Sequence, residues 1–340
     1  HAQQPEKLLL GTETCAAGSS RGHYAHQPEL GLPSAYDLHF GPFSASRRTV
    51  WRHLCQRPYA GGEFVWAGID YRGEAQWPGL FSNSGSLDPC CYPKDNFYLN
   101  RAQWTDAPMV HLLPHWNWPG DEGQVKDVWA YTNCEEVELF LNGVSLGRQQ
   151  PEPCEHGRWA VPYEPGELLA VAYRDGCEAA RSAVRTTGAP VSLALRLEDE
   201  APLVADGQDV ALLTCYCLDA QGRPVPDAEV EVAFQADGRS LRTFGASNDP
   251  VPVTSPTRRL FSGLAMAVVQ PLGAGALTVT ASSPGLRSAR LTLSVLPSTR
   301  DSLPPACYVW GLRDWWMTSL LTPEKPPLYD LDFSGLPQRV

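Results

Sequence analysis

The sequence predicts a multidomain chain in which a short β/α segment is followed by two all-β sandwiches and a proline-rich tail. Three observations carry that expectation. Apolar runs near residues 8–10 and 61–71 end in polar clusters, as buried parallel strands do. From about Asp121 strict alternation takes over. Turn formers are abundant throughout, with 31 Pro and 29 Gly against only 19% charged residues. At 340 residues and 43% apolar content the chain can bury two or three cores, which excludes a disordered protein.

The first element is Leu8-Leu9-Leu10, closed by Gly11 and then Thr12-Glu13-Thr14. The second run, Gly61-Gly62-Glu63-Phe64-Val65-Trp66-Ala67-Gly68-Ile69-Asp70-Tyr71, reads as another buried strand. Trp51-Arg52-His53-Leu54, between them, suits a short helix. A strand, a helix and a strand with polar groups after each strand describe the end of a β/α repeat, where strand C-termini present the chemistry.

Further on, Val137, Leu139 and Leu141 point one way and Glu136, Glu138 and Phe140 the other, before Asn142-Gly143 and a second run at Val144 and Leu146. That is a hairpin with a type I′ turn. Leu169, Val171 and Tyr173 alternate again before Asp175-Gly176, completing a small sandwich near Pro190. A second set opens at Val191–Leu195 and continues through Val210–Leu218, Val230–Phe234, Leu277–Thr280 and Leu291–Leu293. Six or so strands in about a hundred residues fit an immunoglobulin-like sandwich. After Pro297, prolines at 304, 305, 323, 326, 327 and 337 forbid long regular elements around Trp310, Trp315 and Trp316.

Composition narrows the function. With 38 acidic and 27 basic residues the net charge is -11, which repels phosphate backbones and argues against a nucleic-acid partner. No run of 18 apolar residues is present to form a membrane helix. The chain opens at His1 with no basic leader before an apolar stretch, so a signal peptide is expected to be absent or lost. The 10 cysteines include no C-x-x-C pair, so mostly free, buried thiols are expected. His111 and His115 have helical spacing, but Pro114 between them argues against a helix and a metal site. Phosphate-loop, dinucleotide and G-x-S-x-G signatures do not occur. The 11 Trp lean toward sugar stacking.

Position singles out Glu13, a carboxylate just past a strand end, where barrel enzymes keep nucleophiles. Asp70 and Glu74 are placed the same way after the second run. On position alone a solvated loop carboxylate is the better reading of Glu13, and Asp70 and Glu74 are as ambiguous.

The motifs, taken together, are more specific. Gly11-Thr12-Glu13-Thr14-Cys15 followed by Ser19-Ser20-Arg21-Gly22 resembles the nucleophile segment of glycoside hydrolase family 2, the β-galactosidase family. Gly61 to Trp66, then Ile69-Asp70-Tyr71-Arg72-Gly73-Glu74, resembles that family's last barrel strand. Gly85-Ser86-Leu87-Asp88, Pro93-Lys94-Asp95 and His111–Trp118 continue the likeness, and Asn133–Gly143 resembles the following sandwich. Asn248-Asp249-Pro250 and Leu260–Ala265 resemble a later accessory sandwich, so the likeness spans roughly residues 5 to 320.

The resemblance implies the C-terminal remnant of a (β/α)8 TIM barrel over 1–118, holding strands 7 and 8. Immunoglobulin-like sandwiches would occupy 119–190 and 191–297, each able to fold without the first third, and a Pro/Trp-rich tail or linker 298–340. It makes Glu13 the nucleophile, puts Trp66 in the floor of a sugar subsite, and has Asp70 and Glu74 shape that pocket. The family's acid/base is a Glu after an Asn on an earlier strand, and no Asn-Glu occurs here. Retaining hydrolysis needs two carboxyl groups about 5–5.5 Å apart. The expectation is therefore a fragment of a retaining β-galactosidase, inactive alone. Glucuronidases of the family hold the sugar carboxylate with Asn-Xaa-Lys, where this chain has Ser82-Asn83-Ser84. The implied partner is a β-linked oligosaccharide or glycoside, with no nucleic acid and no membrane, and a homo-oligomer of the complete enzyme is left open. No cofactor is required for bond breaking, although Mg or Na could sit near the sugar in a complete enzyme. A periplasmic or secreted bacterial setting is favoured over the cytoplasm. The rival reading is a non-catalytic carbohydrate-binding or adhesion module built on the sandwiches.

Overall fold

A computed structural model describes residues 1–298 apart from 2, 43, 76–77, 238–239 and 246–247. The expected tail, beyond residue 298, lies outside the described residues. Near the N-terminus Leu9–Gly11 (β1) pairs in parallel with Ala60–Glu63 (β2), Leu9 opposite Ala60 and Gly11 opposite Glu63. Parallel strands require a crossover, supplied here by a chain that includes a 3-10 turn at Pro28–Leu30 and the helix Arg47–Cys55 (α1). The start of α1 is doubly capped. Ser46 Oγ accepts from the Thr49 N–H at 3.2 Å, and the Asp37 carboxylate accepts from Arg47 and Arg48 N–H at 2.9 and 3.0 Å. These acceptors satisfy donors that the first helical turn leaves without partners.

Two expectations about this region need correction. Leu8, Leu9 and Leu10 are exposed rather than buried, as are Phe64 and Ile69, because among the described residues the two-stranded sheet has no further layer over them. The strand expected over 61–71 stops at Glu63. Gly62, at φ +126°, sits where the register slips inside β2, and the backbone after the strand takes its partners from 84–87: Ala67 N–H donates to Ser84 O at 3.2 Å, and Asp70 N–H to Leu87 O at 2.9 Å. Tyr71–Arg72 (β3) and Phe81–Ser82 (β4) then pair as a short antiparallel ribbon, and Asp95–Trp104 (α2) follows.

The next seven strands are Val110–Leu113 (β5), Val125–Thr132 (β6), Glu136–Leu141 (β7), Val144–Gln149 (β8), Gly157–Pro162 (β9), Glu167–Arg174 (β10) and Cys177–Arg185 (β11). They form sheets β5-β6-β9 and β11-β10-β7-β8, which face each other across Val128, Val137, Leu139, Trp159, Val161 and Leu168. Val137 and Leu139 are the inward face of the alternation at 136–141. Asn142 and Gly143 have φ of 50° and 82°, the positive pair that a type I′ turn demands. The sheet reaches back before 119, where a boundary was expected, because β5 pairs with β6 through Val110 opposite Thr132, across the bend at Pro114.

The last strands are Ser192–Leu197 (β12), Leu203–Ala205 (β13), Ala211–Leu218 (β14), Glu231–Ala236 (β15), Ser240–Phe244 (β16), Thr257–Arg259 (β17), Leu264–Gln270 (β18), Gly275–Ser282 (β19) and Ala289–Pro297 (β20). A four-stranded sheet, β12-β14-β18-β16, packs on a five-stranded one, β13-β20-β19-β15-β17, so there are more strands than the six or so expected. The core holds Leu213, Cys215, Cys217, Val232, Phe234, Leu277 and Val279. The alternate residues of β14 are also used. Leu212 packs near Cys90 and Tyr92, and Thr214 Oγ1 lies 2.6 Å from the Tyr92 hydroxyl, so this sandwich docks on the first region.

Candidate active site

The site is built where β1 and β2 end together. Thr14, beyond β1, donates its hydroxyl proton to the Glu63 carboxylate at the end of β2, and Gly11 O accepts from Phe64 N–H at 2.8 Å. Glu13 lies between these ties and is exposed. It lines an open cleft of about 770 Å³ together with Trp66, Glu74, His26, His39 and Asn83.

Trp66 is oriented by a short chain of bonds. Its indole N–H donates to the Tyr71 hydroxyl at 3.1 Å, the two rings meet edge to face at 5.9 Å, and the Tyr71 hydroxyl donates to Glu74. Tyr71, on β3, thus couples the aromatic wall to a carboxylate. On the other side His26 and His39 stack at 3.9 Å, and His39 Nε2 sits 2.7 Å from Ser34 Oγ. Burial, and then the neighbouring His26, hold His39 below the usual histidine pKa.

Asp70 does not line the cleft, contrary to its expected place among the substrate-binding residues. It is buried beneath the wall: Lys94 Nζ donates to Asp70 Oδ1 at 2.7 Å and to the carbonyls of Ser19 and Asn83 at 2.7 and 2.9 Å. Asp70 Oδ1 also accepts from Gly85 N–H at 2.8 Å. A Cβ on Gly85 would lie 2.3 Å from the Asp70 backbone nitrogen, so only glycine fits here. Burial raises the Asp70 carboxyl to about 6 against the opposing pull of Lys94, and burial likewise lowers Lys94. A carboxylate holding a buried ammonium is committed to the protein. Its contribution is to fix the loop at 83–85, two of whose residues, Asn83 and Ser84, face the cleft. Arg47 does the same from α1, donating to Ser84 O at 2.6 Å.

A further wall support comes from the second sandwich. The Asn248 amide accepts from Leu80 N–H at 2.6 Å and donates to Leu30 O at 2.7 Å and Pro78 O at 3.3 Å, stapling two loops that line the cleft. Nearby, the Arg21 guanidinium pairs with buried Asp88 at 2.6 Å and donates to the carbonyls of Phe261 and Ser262 at 2.6 and 2.9 Å. The Ser19–Gly22 motif is thus an anchor between regions.

The histidine pair at 111 and 115 is divided between two environments. His111 Nε2 is 2.7 Å from Asp95 Oδ1 with its ring on Tyr98, whereas His115 stacks on Trp118. Among the described residues no group of three or more His, Cys, Asp or Glu is arranged to hold a metal. Trp129 and Trp159, the sandwich tryptophans that a binding module would use, are buried and offer no face to a sugar.

Glu13, Trp66 and Glu74, to which the sequence points, thus meet in one cleft; no local pattern marks His26 or His39, and Asn83, Asn248 and Tyr71 stand within the family motifs without showing the contacts they make. The cleft combines two carboxylates with an aromatic plane, and no Lys or Arg is among its lining residues.

Two family models match the chain: a domain of unknown function, DUF4982, over residues 123–180, and glycoside hydrolase family 2 C-terminal domain 5 over residues 195–292. The chain is 32% identical over 318 residues to beta-galactosidase BoGH2A of Bacteroides ovatus, covering 86% of this chain and 37% of that protein. It is 30% identical over 256 residues to a beta-glucuronidase of Formosa agariphila, covering 73% of this chain and 26% of that protein. Among solved structures it resembles a beta-glycosidase from Bacteroides vulgatus, with a TM-score of 0.79 and 32% identity over 87% of this chain and 43% of that one. It thus spans less than half the length of these relatives. With the two domain models falling on the two sandwiches and these likenesses covering most of its length, the chain belongs to glycoside hydrolase family 2 and corresponds to a C-terminal portion of its members.

Proposed function

We propose that this chain supplies the nucleophile side of a retaining β-glycosidase that removes terminal β-galactosides, with Glu13 attacking the anomeric carbon to form a glycosyl ester. The observation that carries the reading is the convergence of Glu13, Trp66 and Glu74 on one cleft at the ends of two parallel strands. In this reading β1 and β2 are neighbouring strands of a (β/α)8 barrel and the two sandwiches are immunoglobulin-like. Trp66 stacks on the apolar face of the sugar, and Glu74 with Tyr71 receives its hydroxyls. The departing oxygen needs a proton from a second carboxyl group about 5–5.5 Å from the first. No Asn-Glu in this sequence offers the family's acid. The two carboxylates of a complete enzyme suffice for bond breaking without a metal or organic cofactor. Galactosides are favoured over glucuronides because Ser82-Asn83-Ser84 face the cleft where a lysine would be wanted for a sugar carboxylate.

The test is covalent labelling. In the full-length protein a 2-deoxy-2-fluoro-β-galactoside should esterify Glu13, and Glu13→Gln should lower kcat at least about a thousandfold. A label on another carboxylate, or an active Glu13→Gln variant, overturns the assignment. Faster turnover of nitrophenyl β-glucuronide than of the β-galactoside would overturn the specificity alone. The 340-residue chain by itself should hydrolyse neither.

A further inference from the structure

We propose that Cys55 and Cys154 form an oxidation site that clips the helix of the first region covalently to the first sandwich. Their Sγ atoms stand 3.0 Å apart, although the residues are 99 positions apart in sequence. Cys55 closes α1, and Cys154 lies in the connection from β8 to β9.

The surroundings hold this contact and give it access. Glu155, next to Cys154, binds Arg48 at 3.0 Å and also binds Arg52, so two residues of α1 grip the same connection. His156 stacks on Trp129 at 4.0 Å and seats the connection on β6. Cys55 is exposed and opens on a groove of about 560 Å³ lined by Arg52, Gln56, Glu152, Pro153 and Glu155. The other described thiols lack such a setting. Cys15, Cys90, Cys134, Cys215 and Cys217 are buried, and no other sulfur pair is in contact among the described residues.

The order of events follows from exposure. Burial and the hydrogen bond with Cys55 push the Cys154 thiol up to about 12, so it keeps its proton while Cys55 faces solvent. The Cys55 thiolate attacks the S–S bond of a low-molecular-weight disulfide such as oxidised glutathione, forming a mixed disulfide and releasing one small thiol. Cys154 then gives up its proton and attacks the Cys55 sulfur, releasing the second small thiol. Two protein thiols are oxidised, one small disulfide is reduced to two thiols, and the two protons leave with them.

The experiment uses the whole chain. Purified protein is equilibrated with oxidised glutathione, alkylated and digested without reduction, and peptides are identified by mass spectrometry. The expected product is one linked peptide joining Cys55 to Cys154, two hydrogens lighter than the reduced pair. It should be absent from Cys55→Ser and Cys154→Ser, and abolished by dithiothreitol. Because the bond closes a long loop, the oxidised chain should melt about 5–10 °C above the reduced one. Full alkylation of both cysteines after oxidation, or linkage of Cys55 to a different partner, overturns the proposal. The wild-type peptide map decides even if a serine variant folds poorly.

Discussion

The first region and the sandwiches solve the same packing problem with different materials. The sandwich cores are apolar, from Val137 and Leu139 to Leu213 and Phe234, and among the described residues of the second sandwich the buried charges are Asp219 and Arg258. The first region instead buries Arg21, Asp37, Arg47, Asp70, Asp88, Lys94, Asp95 and Asn96. Most charges there have directed partners: Arg21 with Asp88, Lys94 with Asp70, and Asp37 with the amides that open α1, while Nε and Nη1 of Arg47 are buried without one. Apolar packing tolerates exchange of similar volumes, whereas a buried charge whose partner is removed strands the other in a poorly solvated place. Loops that shape a cleft carry few apolar groups, and directed polar bonds are how such loops are held in one conformation. The polar interior therefore belongs where the cleft is.

Acid should separate the first sandwich, which holds His115 and His156 between its strands, from the second most. Burial lowers His115 to about 4 and His156 to about 3. A histidine whose folded pKa lies below its unfolded value of about 6.5 binds fewer protons when folded, so its stabilisation is complete above that pH and is lost as pH falls below it. Each ring should remove up to about 1.4 kcal/mol per pH unit in that window. Hydrogen exchange between pH 7 and 5 should show protection lost first around Trp129, His156 and the Pro114 bend. Uniform loss across the second sandwich would contradict this.

Breaking one charge pair comes next. Lys94→Met leaves Asp70 buried without its ion partner and should cost about 3–5 kcal/mol. The loss should appear in exchange of residues 66–100 while the β14–β18 pairing stays protected. If the second sandwich loosens equally, the regions are one cooperative unit and the contrast fails. The smallest of the three is Leu213→Ala, expected to cost about 3 kcal/mol through a cavity in the second sandwich. It should lower the denaturation midpoint and leave exchange near Lys94 unchanged, and a shift at Lys94 would again refute independence.

This contrast also explains what could be read from the sequence. Alternation at 136–141 and the Asn142-Gly143 turn were visible because one face of β7 is dry and the other wet. β13, β16 and β17 are three to five residues long, too short for a period to emerge. In the first region a fully buried Lys94 looks, by type, like a surface residue, so hydropathy misplaces it. The family motifs quoted Arg21, Asp88 and Lys94, but only the structure shows the bonds they make. For the same reason the sequence does not say how Asp70 shapes the pocket: a carboxylate after a strand can face the cleft or hold up its wall, and the choice depends on Lys94, 24 residues on. Nor can any local signal tie Asn248 to Leu80, 168 residues away.

That last bond bears on how such proteins can be recombined. A joint near residue 190, between the sandwiches, looks like the natural place to exchange modules among relatives. Yet Asn248 lies beyond it and staples the loops at Leu30 and Pro78–Leu80 that wall the cleft. A hybrid that takes its last sandwich from a donor with another residue there inherits a cleft with one wall unfastened, however well both halves fold. The unit of exchange is set by that amide, and it runs from the cleft to at least residue 248.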